Sequence, residues 1–294
     1  MSKLKKKRSF KIIDVMLILI LIIGLTVAGV YGFYYGKDYL SHKQARDEYE
    51  QIKNEYTTVT DITTTKVAPD ETVALFPEKD IDWYGLKTIN KDYIGWLYFS
   101  FEGNSEEYSF TLDYPIVYET YKNQYLRTTF EGNSNSAGTI FMDMSSNPSF
   151  YGYNDIIYGH HMRDDSMFGA LELIHEMDDL DYIKEHPQYL YIYTKTACHK
   201  YMLVAYEQTT SAAKSYGVAH ENETYDQLKD NIKSMETYIK SDIYTWRGRP
   251  EILNLSTCDG PSGTNQRFAL HFVKINAYTY DQNATQIDSE SDLQ

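Results

Sequence analysis

Two distant stretches of this sequence carry side chains suited to nucleophilic chemistry. The sharper is EILNLSTCDGPSGTNQR, residues 251–267. An apolar, β-type run over 252–256 brings Cys258 to the end of a predicted strand. A Gly/Pro/Ser loop follows, and Arg267 opens the last strand. A thiol and a guanidinium then stand at the same ends of two strands that could be neighbours. A free thiol titrates near ~8.5, so little of it is thiolate at neutral pH. A nearby cation favours the thiolate, or the oxyanion that forms once sulfur attacks a carbonyl. Arginine suits the second task, because it stays charged and presents several donors.

The other stretch is DIIYGHHMRDDSMF, residues 155–168. An apolar strand ends in Gly159, and His160 and His161 follow. A histidine there can take a proton from a thiol and return it to a leaving amine. Adjacent residues on a strand point to opposite faces, so one of the two faces a site. Adjacent histidines do not easily chelate one metal, and no other His, Cys or Glu cluster has ligand spacing. No metal site and no cofactor is expected. Taken singly, each stretch has a plainer reading: a packed strand-end thiol, and a surface histidine pair.

The elements that must position these groups read as β. Strand candidates fall at 93–100, 108–118, 138–143, 155–161, 189–195, 200–210, 251–258 and 266–278. They are rich in Ile, Val, Tyr and Phe. Turn signals such as Glu102-Gly103-Asn104 and Gly132-Asn133 separate them. Such a series implies a β-barrel or sandwich. Two helical stretches interrupt it. One is 166–174. The other is 225–244, where Leu228, Ile232, Met235, Ile239 and Ile243 recur every three or four residues. The tail from Asp281 is polar and acidic and reads as disordered.

Composition narrows the function classes. The net charge is −14, and the first 11 residues hold six basic groups and no acid, so the remainder carries −20. So acidic a body repels phosphates, which excludes nucleic acid as a partner. Only Cys198 and Cys258 are present. That excludes a disulfide scaffold and a Cys-rich metal centre. A single bridge between the two stays open, since spacing alone does not show whether their Cα atoms approach.

Residues 15–35, VMLILILIIGLTVAGVYGFYY, contain no charge. A helix of that length spans about 30 Å, the hydrocarbon thickness of a bilayer. The basic residues before it place the N-terminus in the cytoplasm and the rest of the chain outside. Tyr31, Phe33, Tyr34 and Tyr35 form an aromatic belt at the outer face. The run exceeds a signal h-region and no A-x-A site follows, so an uncleaved anchor is expected. The chain then divides into a basic cytoplasmic segment (1–11), a transmembrane anchor (12–35), a juxtamembrane helix and threonine-rich linker (36–79), a catalytic β domain (80–280) and the acidic tail (281–294).

The two chemical stretches together resemble the sortase family. Sortases carry a strand ending in TLxTC, an Arg several residues later, and an upstream His after Gly. Here Leu255-Ser256-Thr257-Cys258 precedes Arg267 by nine residues, and Gly159-His160 lies upstream. Finer cues resemble class B: Ile157-Tyr158-Gly159-His160-His161-Met162, Ser166-Met167-Phe168, Ile89-Asn90-Lys91-Asp92, Gly95-Trp96-Leu97, Tyr114-Pro115-Ile116-Val117 and Gly138-Thr139-Ile140-Phe141-Met142-Asp143. The long helix before the cysteine strand fits too. One departure is Asn254, where the family usually has Thr.

The resemblance, over residues 80–279, implies a closed β-barrel of about eight strands with peripheral helices, behind an N-terminal transmembrane helix. It implies Cys258 as nucleophile, His160 as general acid/base and Arg267 as the transition-state cation. It gives His161 no role, Thr257 local hydrogen bonding, and Cys198 the place of a buried strand thiol. The implied reaction is cleavage at a Thr of a C-terminal sorting-signal peptide in secreted surface proteins. The acyl group then passes to an amine of the peptidoglycan precursor, or to a pilin Lys. A pilin polymerase, a hydrolytic cysteine protease and a non-catalytic tethered β domain are the alternatives.

Overall fold

A computed structural model describes residues 12–60, 77–210, 212–216, 222–240, 246, 248–258 and 265–280, with Val59, Thr60, Glu78 and Cys258 described by their backbone alone. The basic segment, most of the linker, the loop after Cys258 and the acidic tail lie outside these residues. The chain forms two compact units, 1–44 and 45–294.

Helix α1, Ile12–Tyr56, runs through the boundary without a break. Its sequence contains no proline, and Thr26 Oγ1 satisfies its hydroxyl by donating to Ile22 O at 2.8 Å. In the first unit this helix is long and apolar enough to cross a membrane. Its most apolar stretch has a mean hydropathy of 2.7 and buries none of its residues. In the second unit the same helix changes character. Ala45, Tyr49 and Ile52, spaced four and three apart, are buried in the main core. Tyr49 donates its hydroxyl to Gly138 O at 2.6 Å, which pins the helix end to the segment entering a barrel strand.

After α1, β1 (Thr57–Thr60) pairs antiparallel with β2 (Glu78–Ile81). The expected linker thus begins as a strand. Helix α2 (Trp83–Ile89) follows, with Asp82 accepting from Gly85 N at its start. Eight strands then close a barrel: β3 (Tyr93–Phe101), β4 (Phe110–Tyr118), β5 (Ile140–Met142), β6 (Asn154–Gly159), β7 (Tyr189–Tyr193), β8 (Ala197–Thr210), β9 (Ile252–Cys258) and β10 (Gln266–Thr279). Their order around the barrel is β10-β8-β7-β3-β4-β5-β6-β9. Neighbours are antiparallel except at β4–β5 and β6–β9. The short helices α3 (Leu173–Met177) and α4 (Leu180–Glu185) lie between β6 and β7.

Helix α5 spans Asn222–Lys233, shorter than the expected 225–244. Ser234 N still donates to Asp230 O, but Met235 N and Tyr238 N donate to carbonyls three residues back, so the chain leaves the α-helix as turns. Ile239 N then donates to Val204 O on β8 at 2.8 Å, and the backbone finds a strand partner instead of a helical one. The expected helix at 166–174 is likewise a 3₁₀ turn, Gly169–Glu172, leading into α3.

The barrel interior is aromatic. Phe99, Phe101 and Phe272 are fully buried. Phe99 and Phe272 meet edge-to-face at 5.3 Å across it. A second cluster packs Tyr225, Leu228 and Ile232 of α5 over Val204, Ile252 and Val273. Truncating Phe272 to Ala is expected to cost about 3–5 kcal/mol, because the surrounding strands cannot collapse into the void. Tyr121→Ala, at a residue 62% exposed, should stay within about 0.5 kcal/mol. Urea unfolding checks both, and equal midpoints for the two variants would refute this account of the core.

Candidate active site

Strand register brings the three chemical positions to one rim. In the parallel β6–β9 pair Gly159 lies opposite Thr257, so His160 leaves β6 level with Cys258. In the antiparallel β9–β10 pair Cys258 lies opposite Arg267. Adjacent strands sit about 4.8 Å apart. The backbones at 160, 258 and 267 therefore occupy neighbouring strand ends. A cleft of about 440 Å³ opens there, lined by His160, Arg267, Thr257, Ser256, Tyr158 and Tyr216 among others. Thr257 Oγ1 is buried and has no hydrogen-bond partner among the described residues. Cys258 joins this rim as the last residue of β9.

His160 does not sit on the strand but one residue beyond it. The expected strand alternation therefore does not decide which histidine faces the cleft. A tight loop decides it. Phe168 N donates to His160 O at 3.0 Å, and His161 bridges to Met167. Met167 takes a left-handed φ of 54°, and its N–H donates to Tyr114 Oη at 3.0 Å. Gly159 is required by this closure, since a Cβ there would lie 2.6 Å from both Ile140 and the Phe168 ring. His161 turns to Glu172, at 3.2 Å from its carboxylate, while His160 lines the cleft.

The hydrogen bond of His160 fixes its chemistry. Nε2 lies 2.5 Å from Leu126 O. A carbonyl only accepts, so Nε2 carries the proton and Nδ1 is the nitrogen left to accept one. Burial pushes the imidazole below its ordinary pKa. The Leu126 bond opposes that shift, and the Arg127 charge adds to it. The ring is therefore neutral at neutral pH. The half-buried Arg267 donates from Nη1 to Gln266 O at 2.7 Å. Tyr158, with its pKa raised chiefly by burial, feels both the Arg267 cation and the Asp143 carboxylate.

The possible Cys198–Cys258 bridge is ruled out by the same register. Cys198 lies opposite Tyr278 of β10 and Cys258 opposite Arg267. Eleven steps of strand separate those two β10 positions, on the order of 30 Å, against the ~7 Å limit for a disulfide. Cys198 is a free, fully buried thiol whose pKa burial pushes up, an inert core residue.

Some contributors to the site carry no readable signal. Leu126 acts through a backbone carbonyl, which no side-chain pattern reveals. Tyr216 reaches Ser256 Oγ at 2.7 Å from a 3₁₀ turn, Lys214–Tyr216, that lies 40 residues away in sequence.

Comparison with known proteins matches this architecture. A family model, the sortase domain, covers residues 109–273, more than half of the chain. Sortase B of Staphylococcus aureus is 28% identical over 273 residues, covering 91% of this chain and 97% of that protein. Sortase B of Listeria monocytogenes is 30% identical over 174 residues, 59% of this chain and 65% of that protein. Among solved structures, sortase B from B. anthracis in complex with AAEK1 aligns with a TM-score of 0.59 at 22% identity, over 81% of this chain and 99% of that one. With its closed eight-stranded barrel and these relatives, the chain belongs to the sortase family of transpeptidases, in class B.

Proposed function

We propose that this chain is a membrane-anchored cysteine transpeptidase that cuts a sorting signal at a Thr and passes the acyl group to an amine. The observation that carries the reading is the register that sets positions 160, 258 and 267 side by side around one cleft. Residues 80–280 form the catalytic domain. Residues 12–35 anchor it, with the six basic residues before them in the cytoplasm and the barrel outside.

The steps follow from the groups available. His160 Nδ1 takes the Cys258 proton, and the sulfur attacks the Thr carbonyl carbon. A C–S bond forms and the carbonyl electrons move onto oxygen, where the Arg267 guanidinium stabilises them. The intermediate collapses, the C–N bond breaks, and the departing amine takes the proton from His160. A thioester remains. An incoming amine attacks it, gives a proton to His160, and expels the Cys258 thiolate. One amide is exchanged for another, with no net oxidation. A sortase B that is 25% identical has been solved complexed with triglycine, which supports an amine as acceptor. The acceptor here is an amine of the peptidoglycan precursor, or a pilin Lys.

Cys258→Ala is expected to abolish transfer and the acyl-enzyme together, read by mass spectrometry of the full chain with a peptide library and a free amine. Turnover persisting in that variant would remove Cys258 as nucleophile. Cleavage without ligated product would assign a hydrolase instead. A methanethiosulfonate reagent should modify wild type at Cys258 and leave the buried Cys198 untouched; equal labelling of both would contradict an activated thiol.

His160 should titrate below the ordinary ~6.5, since burial disfavours its charged form. Its lowered folded value means that protonation works against the native site, so the neutral imidazole prevails from neutral pH down to that lowered midpoint. Nitrogen-15 NMR of labelled histidine reads the midpoint directly. A value at or above ~6.5 would contradict the desolvated position.

A further inference from the structure

Beneath the cleft floor, five residues from four adjacent strands and one turn close a ring of polar contacts. Asn254 of β9 donates from Nδ2 to Asn154 Oδ1 of β6 at 2.5 Å. Asn254 Oδ1 lies 2.6 Å from His271 Nδ1 of β10. His271 Nε2 lies 3.3 Å from Glu207 Oε1 of β8. Ser215 Oγ donates to that same carboxylate oxygen. Asn154 Nδ2 returns to Ser215 O at 3.3 Å. Asn154, Asn254, His271 and Ser215 are all nine-tenths or more buried.

One atom sets the polarity of the whole ring. The Ser215 backbone carbonyl can only accept, so Asn154 faces it with its amide N–H. Asn154 then turns its oxygen to Asn254, which must donate. Asn254 in turn offers its oxygen to His271 Nδ1, which must carry a proton. The other ring nitrogen faces a carboxylate. Burial pushes Glu207 up, but His271 and Ser215 outweigh it and hold the carboxyl below its ordinary value. Among the described residues, Glu207 is the charged group that faces His271. β9 and β6 present the neutral amides of Asn254 and Asn154, and the turn presents Ser215.

The ring ends where the cleft begins. Ser215 precedes Tyr216, whose hydroxyl meets Ser256 and whose side chain lines the cleft. Asn254 and Ser256 share one face of β9, and His271 shares its face of β10 with Arg267. Two interactions therefore hold the Lys214–Tyr216 turn: the ring at Ser215 and the hydroxyl pair at Tyr216. Asn254 is also the position where this chain departs from the family pattern. A threonine there offers one hydroxyl in place of an amide with separate donor and acceptor ends.

We propose that Glu207 and His271 are positioning residues that act through Asn254, Asn154 and Ser215 to fix the turn bearing Tyr216 over the cleft floor. This rests on the cleft being the active site, so the test uses a readout independent of turnover. Full-length protein in detergent micelles, labelled with 3-fluorotyrosine at position 216, serves. In wild type Tyr216 should give one narrow fluorine signal. Glu207→Gln should broaden or split it, and Glu207→Asp should restore it. Asn254→Thr cuts the ring elsewhere and should broaden the Tyr216 signal too, which covers the case of a Glu207→Gln variant that does not fold. A Tyr216 signal unchanged by both ring variants would overturn the proposal. Loss of the Cys258 reading alone would leave this signal where it is.

Discussion

The parallel pairing of β6 with β9 is the constraint on which the site depends. A parallel pair aligns the C-terminal ends of two strands, and β10, antiparallel to β9, begins where β9 stops. Three stretches that end or begin at His160, Cys258 and Arg267 thus meet at one edge with no long loop needed to reach across. A shift of β9 by one residue against its neighbours would turn each of its side chains to the other barrel face. Register in this corner is held twice. The interior face is packed by Leu253, Leu255, Leu270 and Phe272, all fully buried. The other face is pinned by the Asn254–His271 and Asn254–Asn154 contacts. Apolar packing sets which face goes inward, and the directional amide contacts add a condition that only one alignment meets.

The histidine depends on a second, local device. A strand would have pointed His160 and His161 apart by simple alternation. The chain instead leaves β6 and folds back on itself, with Phe168 packed against Gly159 and Met167 held in a left-handed conformation by Tyr114. Tyr114 in turn packs edge-to-face on Tyr49 of α1 at 5.7 Å. The last turns of the long N-terminal helix are thereby part of the support of the histidine loop. Leu126 completes the arrangement by holding Nε2–H, which leaves Nδ1 as the proton acceptor.

Much of this was legible in the sequence, and the gaps have physical reasons. Eight strand candidates correspond to the eight barrel strands, because half-buried strands rich in Tyr, Ile and Val announce themselves by composition and turn residues. The sortase resemblance and the class B cues were legible for the same reason: they are local strings. The end of α5 was not. Ile239 and Ile243 continue the helical spacing, yet Ile239 turns to β8, a tertiary preference that outweighs periodicity. The polar ring was invisible because its members lie up to 117 residues apart, from Asn154 to His271, and none is unusual for its own strand. Only the departure at Asn254 hinted at it. The Leu126 carbonyl left no trace at all, since any residue would supply it.

The central claim is that sulfur, imidazole and guanidinium act on one carbonyl in one cleft. A crystal structure of the chain trapped with a thiol-reactive sorting-peptide mimic tests it most directly. The account predicts continuous density from Cys258 Sγ into the peptide, His160 Nδ1 facing the sulfur, and the carbonyl oxygen within about 3 Å of the Arg267 guanidinium. A peptide bound elsewhere, or a sulfur turned away from His160 and Arg267, would contradict it.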